Sequence, residues 1–150
     1  MTPVTGVVEY PHGSPGYLEL LRLRDLHLRQ PLGLRLSAGD RADEESQRHF
    51  ALEDDGVIIG GLIARPVGEA TVKLRQMWVD PAHRGRGHGG NLLATVESLL
   101  VANGTRHFTL HARADAAGFY RRNGYVAVGD AFIEVGLPHL KMEKTRLARP

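Results

Sequence analysis

Four glycines crowd into the six residues Gly85-Arg86-Gly87-His88-Gly89-Gly90, directly after a run of strand-forming residues and directly before a run of helix-forming ones. No other feature restricts the fold of this chain as much. So many residues without a Cβ suit a backbone that turns tightly and lets another group come close to it. A helix opening here adds unpaired amides and the positive end of its dipole. The loop therefore reads as an anion cradle, most naturally for a pyrophosphate. Arg84 and Arg86 place positive charge at its rim.

The elements on either side follow from periodicity. Thr71–Val79 alternates Val72 and Leu74, then Met77 and Val79, as a half-buried strand does. After the loop, Leu92, Leu93, Val96, Leu99 and Leu100 mark a helix that Asn103-Gly104 closes. Upstream, residues 1–16 are rich in Gly and Pro, which predicts loose packing with a short strand at 7–10. Leucines at helical spacing predict a helix over 17–31, and 40–50 reads as a second, more polar one. Strands at 50–53 and 57–64 are joined by Asp54-Asp55-Gly56, a hairpin signal, and Val67-Gly68-Glu69 makes a further turn. Downstream come a strand at 108–111, a helix at 115–123 with Asp115 as N-cap, and strands near 125–128 and 140–144. This order predicts a single α/β (α+β) domain. Its sheet is mixed and mostly antiparallel, with six or seven strands, an antiparallel first part and a parallel later one. About four helices flank it.

Composition narrows the function. The 150 residues suit one domain, and 42% hydrophobic content supplies a core. There is no cysteine, which excludes a disulfide framework, a thiolate metal site and a catalytic thiol. With no leader-like start and no apolar run of membrane-spanning length, a cytoplasmic protein is expected. Sixteen of the nineteen cations are Arg, yet the net charge is only +2, too little for a general nucleic-acid binder. Arg22, Arg24 and Arg29 read as a solvated helix face. His107 and His111 lie about 13 Å apart along a strand, too far to share a metal ion.

Two loop templates compete. Gly85-x-Gly87-x-x-Gly90 fits a dinucleotide fingerprint letter by letter, but its context fails. The connection from Val79 is too long, and the stretch 105–112 lacks the acidic ribose ligand that fingerprint requires. Arg84-x-x-Gly87-x-Gly89 fits the (Q/R)-x-x-G-x-(G/A) loop instead. In MWVDPAHRGRGHGGNLL the sequence resembles the GNAT superfamily of acyl-CoA-dependent N-acyltransferases. Phe119-Tyr120-Arg121-Arg122-Asn123-Gly124-Tyr125 is similar to that family's F-Y-x-x-x-G-F/Y segment and follows at the right interval.

The resemblance implies acetyl-CoA as acyl donor, no metal, and direct transfer to an amine of a small molecule or peptide. Met77, Trp78 and Val79 would pair with the pantetheine arm, the Met77 amide also meeting the thioester oxygen. The amides of Arg84, Gly85, Arg86, Gly87, His88 and Gly89 would hold the pyrophosphate. Tyr120 matches the tyrosine beside the CoA sulfur that acts as general acid, and Phe119 would pack near the cofactor. The ending Phe132-x-Glu134-x-Gly136-Leu137-Pro138-His139-x-x-Met142 resembles one found in some relatives. It makes Glu134 a candidate base, with His139 and His111 as candidates near the acceptor. Arg113 stands where many relatives carry Asn, within possible reach of a CoA phosphate. No membrane or nucleic-acid partner is implied, and the family often forms homodimers. A catalytically silent CoA-binding module of the same fold is the alternative.

Overall fold

A computed structural model of the chain describes residues 5–147. Its centre is one seven-stranded sheet in the order β1-β2-β3-β4-β5-β7-β6. The strands are β1 (Thr5–Tyr10), β2 (Arg48–Asp54), β3 (Val57–Gly68), β4 (Thr71–Val79), β5 (His107–Arg113), β6 (Val126–Glu134) and β7 (Leu137–Thr145). Three α-helices accompany them: α1 (Pro15–Arg24), α2 (His88–Ala102) and α3 (Ala117–Arg122). Only β4 and β5 run parallel. The expected parallel later part is therefore a single pair, because β6 and β7 form a hairpin rather than a crossover unit.

Two turns work alike. Asp55-Gly56 and Val135-Gly136 both have positive φ at each residue (48° and 80°; 45° and 76°), which matches the twist of the strands they join. Aspartate and glycine tolerate that region; the β-branched Val135 does so under strain.

The sequence reading needs correction in several places. The short strand expected at 7–10 runs from Thr5 and pairs with β2 over six residues as the sheet edge. Helix α1 starts earlier than expected, with Ser14 accepting from the Tyr17 amide at 3.2 Å and Pro15 in the first turn. It continues through a π-turn at Asp25–Arg29 and a 3-10 turn at Gln30–Leu32 before Gly33 stops it at φ 72°. The predicted second helix over 40–50 does not form. Turns and a 3-10 segment at Glu44–Ser46 replace it, and Arg48 already belongs to β2.

The reason is charge burial. Glu44 is fully buried and binds Tyr17 Oη at 2.8 Å and Arg24 at 2.8 Å, with Arg75 at 3.6 Å. Asp40 is held by Arg29 at 3.1 Å and accepts from the Ser37 amide. Arg24 and Arg29 are accordingly buried rather than solvated, and only Arg22 lies on the exposed face with Glu19. Asp115 likewise does not cap α3; it sits in a preceding 3-10 turn and pairs with Arg113 at 3.2 Å.

The core lies on both faces of the sheet. Phe50, Leu52, Leu62 and Leu74 pack with Leu92, Leu93 and Val96 of α2 and Ala117 of α3. Ala51 and Trp78 join Leu20 of α1 in a second cluster. Phe50 and Leu52 in one cluster and Ala51 in the other follow strand alternation. Beneath α2, the buried Glu97 receives Tyr125 Oη and Lys144 Nζ, each at 2.8 Å, and ties the helix to the distal hairpin.

Candidate active site

The site begins where β4 leaves β5. The parallel ladder pairs Thr71 to Leu74 with His107 to Leu110 and stops there, although both strands continue. On its other side β4 carries a bulge: Gly61 pairs with Trp78 and Ile63 with Arg75, so Gln76 and Met77 together oppose Leu62. Gln76 takes φ +54° to make that possible. An extra residue bends a strand and reverses its alternation. Leu74 faces the α2 core, Met77 packs against that same core, and Trp78 turns to the α1 side. Without the bulge Trp78 would share the face of Leu74. The neighbouring strand fits this arrangement, because a Cβ on Gly61 would lie 2.5 Å from Trp78 Nε1.

The parting opens a cleft of roughly 1370 Å³, including its open mouth. Its lining comes from both faces of the sheet, since the gap passes through it. Leu74, Leu110 and Tyr120 come from one side and Lys73, Arg75 and His111 from the other.

At the end of β4, Asp80 caps a 3-10 turn at Pro81–His83 by accepting from the Ala82 amide at 2.9 Å. Arg84 Nε donates to Val79 O at 3.0 Å, fastening the loop to the strand, and its amide, expected at the pyrophosphate, instead closes the turn on Pro81 O at 3.4 Å. Gly85 and Gly87 have φ of 78° and 79°. Gly87 is the N-cap of α2, and the first intrahelical bond runs from Asn91 N to Gly87 O. The amides of His88, Gly89 and Gly90 thus occupy the first turn, where a helix leaves its donors without internal partners. A Cβ on Gly89 would sit 3.3 Å from the Phe119 ring, and one on Gly90 would sit 3.4 Å from Asn123 Oδ1. The absent side chains of Gly89 and Gly90 thus admit α3, whereas Gly85 and Gly87 have open space beside them; the free amides of this turn suit a phosphate group.

Tyr120 reaches this region from α3, its hydroxyl 3.6 Å from Met77 Sδ. Burial pushes its pKa up to about 12. Its phenol therefore holds its proton throughout the neutral range. The edge-on Phe119 and Tyr125 rings flank it at 5.0 and 5.9 Å.

The acceptor candidates meet at the far side of the cleft. His111 Nδ1 lies 3.0 Å from Glu134 Oε1, and His139 Nε2 lies 3.6 Å from Glu134 Oε2. The Leu137 carbonyl, 2.9 Å from its Nδ1, fixes the buried His139 ring. Phe132 packs edge-on against His111 at 4.9 Å. Arg113 lines the same cleft and is paired with Asp115. Met77, Tyr120, His111, Arg113, Glu134 and His139 thus share one cleft. The loop residues Arg84 to Gly90 and Phe119 lie outside its lining.

Sequence reasoning missed Arg65, Lys73, Arg75 and Gln76, all of which line the cleft. The available signal was in β4, where Lys73 and Arg75 alternate with Val72 and Leu74 and so face away from the core. Burial lowers the Lys73 pKa; Glu134 opposes that shift, while Arg75, Arg65 and Lys141 add to it. Among the described residues no group of three His, Asp or Glu side chains is arranged to hold a metal. Nor is any described helix long and apolar enough to cross a membrane.

Known proteins match this architecture. The Acetyltransferase (GNAT) domain profile matches residues 33–146. The Bacillus subtilis protein YyaT is 31% identical over 114 residues, covering 73% of this chain and 76% of YyaT. An acyl-CoA N-acyltransferase from Pseudomonas aeruginosa superposes with TM-score 0.80 at 20% identity, covering 96% of this chain and 100% of that one. A GNAT acetyltransferase from Elizabethkingia anophelis, solved with acetyl-CoA bound, gives TM-score 0.72 at 15% identity, covering 95% and 98%. The glycine loop, the parted strands and the profile match agree: this chain belongs to the GNAT family of acyl-CoA-dependent N-acyltransferases.

Proposed function

We propose that this protein transfers an acetyl group from acetyl-CoA directly onto a primary amine of a small-molecule or peptide acceptor in the cytoplasm. The observation that carries this reading is the parting of β4 from β5 beyond Leu74 and Leu110, with Tyr120 and Met77 together in the cleft it opens. Acetyl-CoA, when bound, supplies an activated thioester.

The amides from Gly85 to Gly90 hold the pyrophosphate, with Arg86 at the rim and Arg84 tying loop to strand. The backbone of Met77, Trp78 and Val79 receives the pantetheine arm. Neither neighbouring ladder pairs Met77, which supports its amide as the donor to the acyl oxygen as charge builds there. Tyr120 gives its proton to the departing thiolate. Phe119 packs on Gly89 and shapes the floor beneath the cofactor. A Lys-like amine must first lose a proton, at about 4–5 kcal/mol for a pKa near 10.4 at pH 7. Glu134 takes that proton, with His111 Nδ1 bonded to its Oε1 and the His139 ring beside its Oε2. With no cysteine in the chain, an acetyl-cysteine relay is impossible, and transfer passes through a complex of both substrates.

The test pairs thermal shift with thiol release across a broad amine panel. Stabilisation by acetyl-CoA together with amine-dependent CoA release supports the reading. Stabilisation with no release for any amine marks a silent CoA-binding module instead. Absence of both refutes CoA use altogether.

A further inference from the structure

The cleft carries more positive charge than its own carboxylates neutralise. Arg29, Arg65, Lys73, Arg75 and Arg113 line it, against Asp40 and Glu134. Three of these cations are occupied. Arg29 binds Asp40 through Nε and Nη2 at 3.3 and 3.1 Å. Arg113 binds Asp115 at 3.2 Å. Arg75 donates to Gln47 Oε1 at 2.6 Å and Asp40 O at 3.0 Å, beside Glu44 at 3.6 Å.

Arg65 and Lys73 are different. Among the described residues, neither has a carboxylate within ion-pair distance. Among the described residues the Lys73 ammonium has its hydrogen-bond-range contact at His111 Nδ1, 3.4 Å away. That same nitrogen lies 3.0 Å from Glu134 Oε1. A carboxylate only accepts, so His111 must place its hydrogen on Nδ1 to satisfy it. The Lys73 ammonium, a donor only, then faces another donor. Lys73 is left without an acceptor in a half-buried position.

The register compounds this. Arg65 and Lys73 are directly paired across β3 and β4. Opposed residues hold their Cβ atoms about 5 Å apart, and like charges so placed destabilise a sheet. Both side chains line the cleft. The exposed Arg65, a planar fork, and Lys73, a point charge that Glu134 offsets only from across His111, stand on adjacent strands and form a fitting site for an oxyanion.

We infer that Arg65 and Lys73 clamp an anionic group, a carboxylate or a phosphate, carried by the amine acceptor itself. This rests on the acyl-transfer reading above and names the substrate class of that site. His111 Nδ1 lies 3.4 Å from Lys73 Nζ and 3.0 Å from Glu134 Oε1, so the clamp and the base are close neighbours. The acid and the amine of the acceptor are therefore separated by a short spacer. The amine end points toward Tyr120 and Glu134 while the acid end stays on the cations.

The experiment measures CoA release by the full chain with acetyl-CoA and matched ω-amines. The panel contains amino carboxylates from glycine to 6-aminohexanoate, aminoalkyl phosphates, and n-alkylamines and diamines of equal length. Acid-bearing amines should exceed alkylamines of the same length in kcat/KM by about tenfold or more, the advantage being largest for the short spacers. Whichever acid series leads identifies the anion. Arg65→Gln and Lys73→Gln should each reduce that acid-over-alkyl ratio by about tenfold through KM, and Arg65→Glu should turn the preference toward diamines. A merely structural role would lower both substrate classes together and leave the ratio unmoved, which overturns the clamp. Neutral amines or diamines matching the acids with the unaltered protein overturn it too. If acetyl-CoA stabilises the protein and neutral amines win, only the clamp fails. If acetyl-CoA neither stabilises nor reacts, the acyl-transfer reading fails and takes the clamp with it.

Discussion

Beside the glycine loop, what a ligand would meet is main chain: the amides of His88, Gly89 and Gly90 and the open backbone of Gly85 and Gly87. Across the cleft the lining is side chain: Arg65 from β3, Lys73 from β4, His111 from β5, Glu134 from β6 and His139 from β7. The first region presents donors that every residue owns, set by loop geometry and helix polarity. The second depends on which side chains five strands bring together. Main-chain recognition suits the invariant part of an acyl donor. A side-chain wall suits an acceptor that differs from one family member to the next. Tyr120 stands between the two, buried against Met77.

That division can be broken experimentally. The largest effect is expected at the junction. Tyr120→Phe should lower kcat by about a hundredfold or more while the KM for acetyl-CoA changes by no more than about threefold, in steady-state kinetics. An unchanged kcat would remove Tyr120 from the chemistry. Because its pKa lies near 12, its proton should not set an alkaline limb on the wild-type rate profile below about pH 11.

Next comes the buried support of the side-chain wall. Glu44→Gln leaves Arg24 and Arg75 without their carboxylate and should cost about 3–5 kcal/mol in urea unfolding. Burial alone would push Glu44 up, but hydrogen bonds from Arg24 and Tyr17 and the charges of Arg24 and Arg75 outweigh it and hold it low. Arg29 holds Asp40 down to about 2. Depressed carboxylates stabilise the fold above their ordinary range, near pH 4, and that stabilisation is lost as pH falls toward 2. Tyr17 behaves oppositely. Burial and its bond to Glu44 raise it to about 12, so its contribution is full below pH 10 and is lost as pH climbs past it. Melting temperature against pH should show a plateau between these limits. Tyr17→Phe should soften the alkaline fall and, because its hydroxyl also helps hold Glu44 low, make the acid fall begin at a higher pH.

A smaller effect is expected at the loop. Gly89→Val places branched carbon against Phe119, already 3.3 Å from a Cβ. CoA affinity measured by calorimetry should fall about tenfold, whereas the preference among amines should stay put if the two regions act separately. The smallest is a gain. Val135→Asn relieves a β-branched residue at φ 45° in a turn that suits Asn-Gly, and should raise stability by about 0.5–1 kcal/mol in thermal unfolding.

Much of the fold was legible because its signals are local. Asp55-Gly56 announced a hairpin, and the glycines from Gly85 to Gly90 announced a tight loop opening α2. The slip in β4 from even to odd apolar positions, Leu74 and then Met77, was the trace of the bulge, visible but unread. The polar stretch from Asp40 failed as a helix because its acids are claimed by Arg24, Arg29 and Arg75 from elsewhere. In sequence, Arg22 and Arg24 look alike two residues apart, yet one is exposed and the other buried on a carboxylate twenty residues away.

The sequence by itself determined the strand-loop-helix, its glycines and the tyrosine after it, because backbone torsion, helix polarity and short-range periodicity act within a few residues. The tertiary structure alone decided that β4 parts from β5, that Glu134 lies between two histidines, and that Arg65 faces Lys73. Those depend on ladder register, and a one-residue change of register would send each side chain to the opposite face.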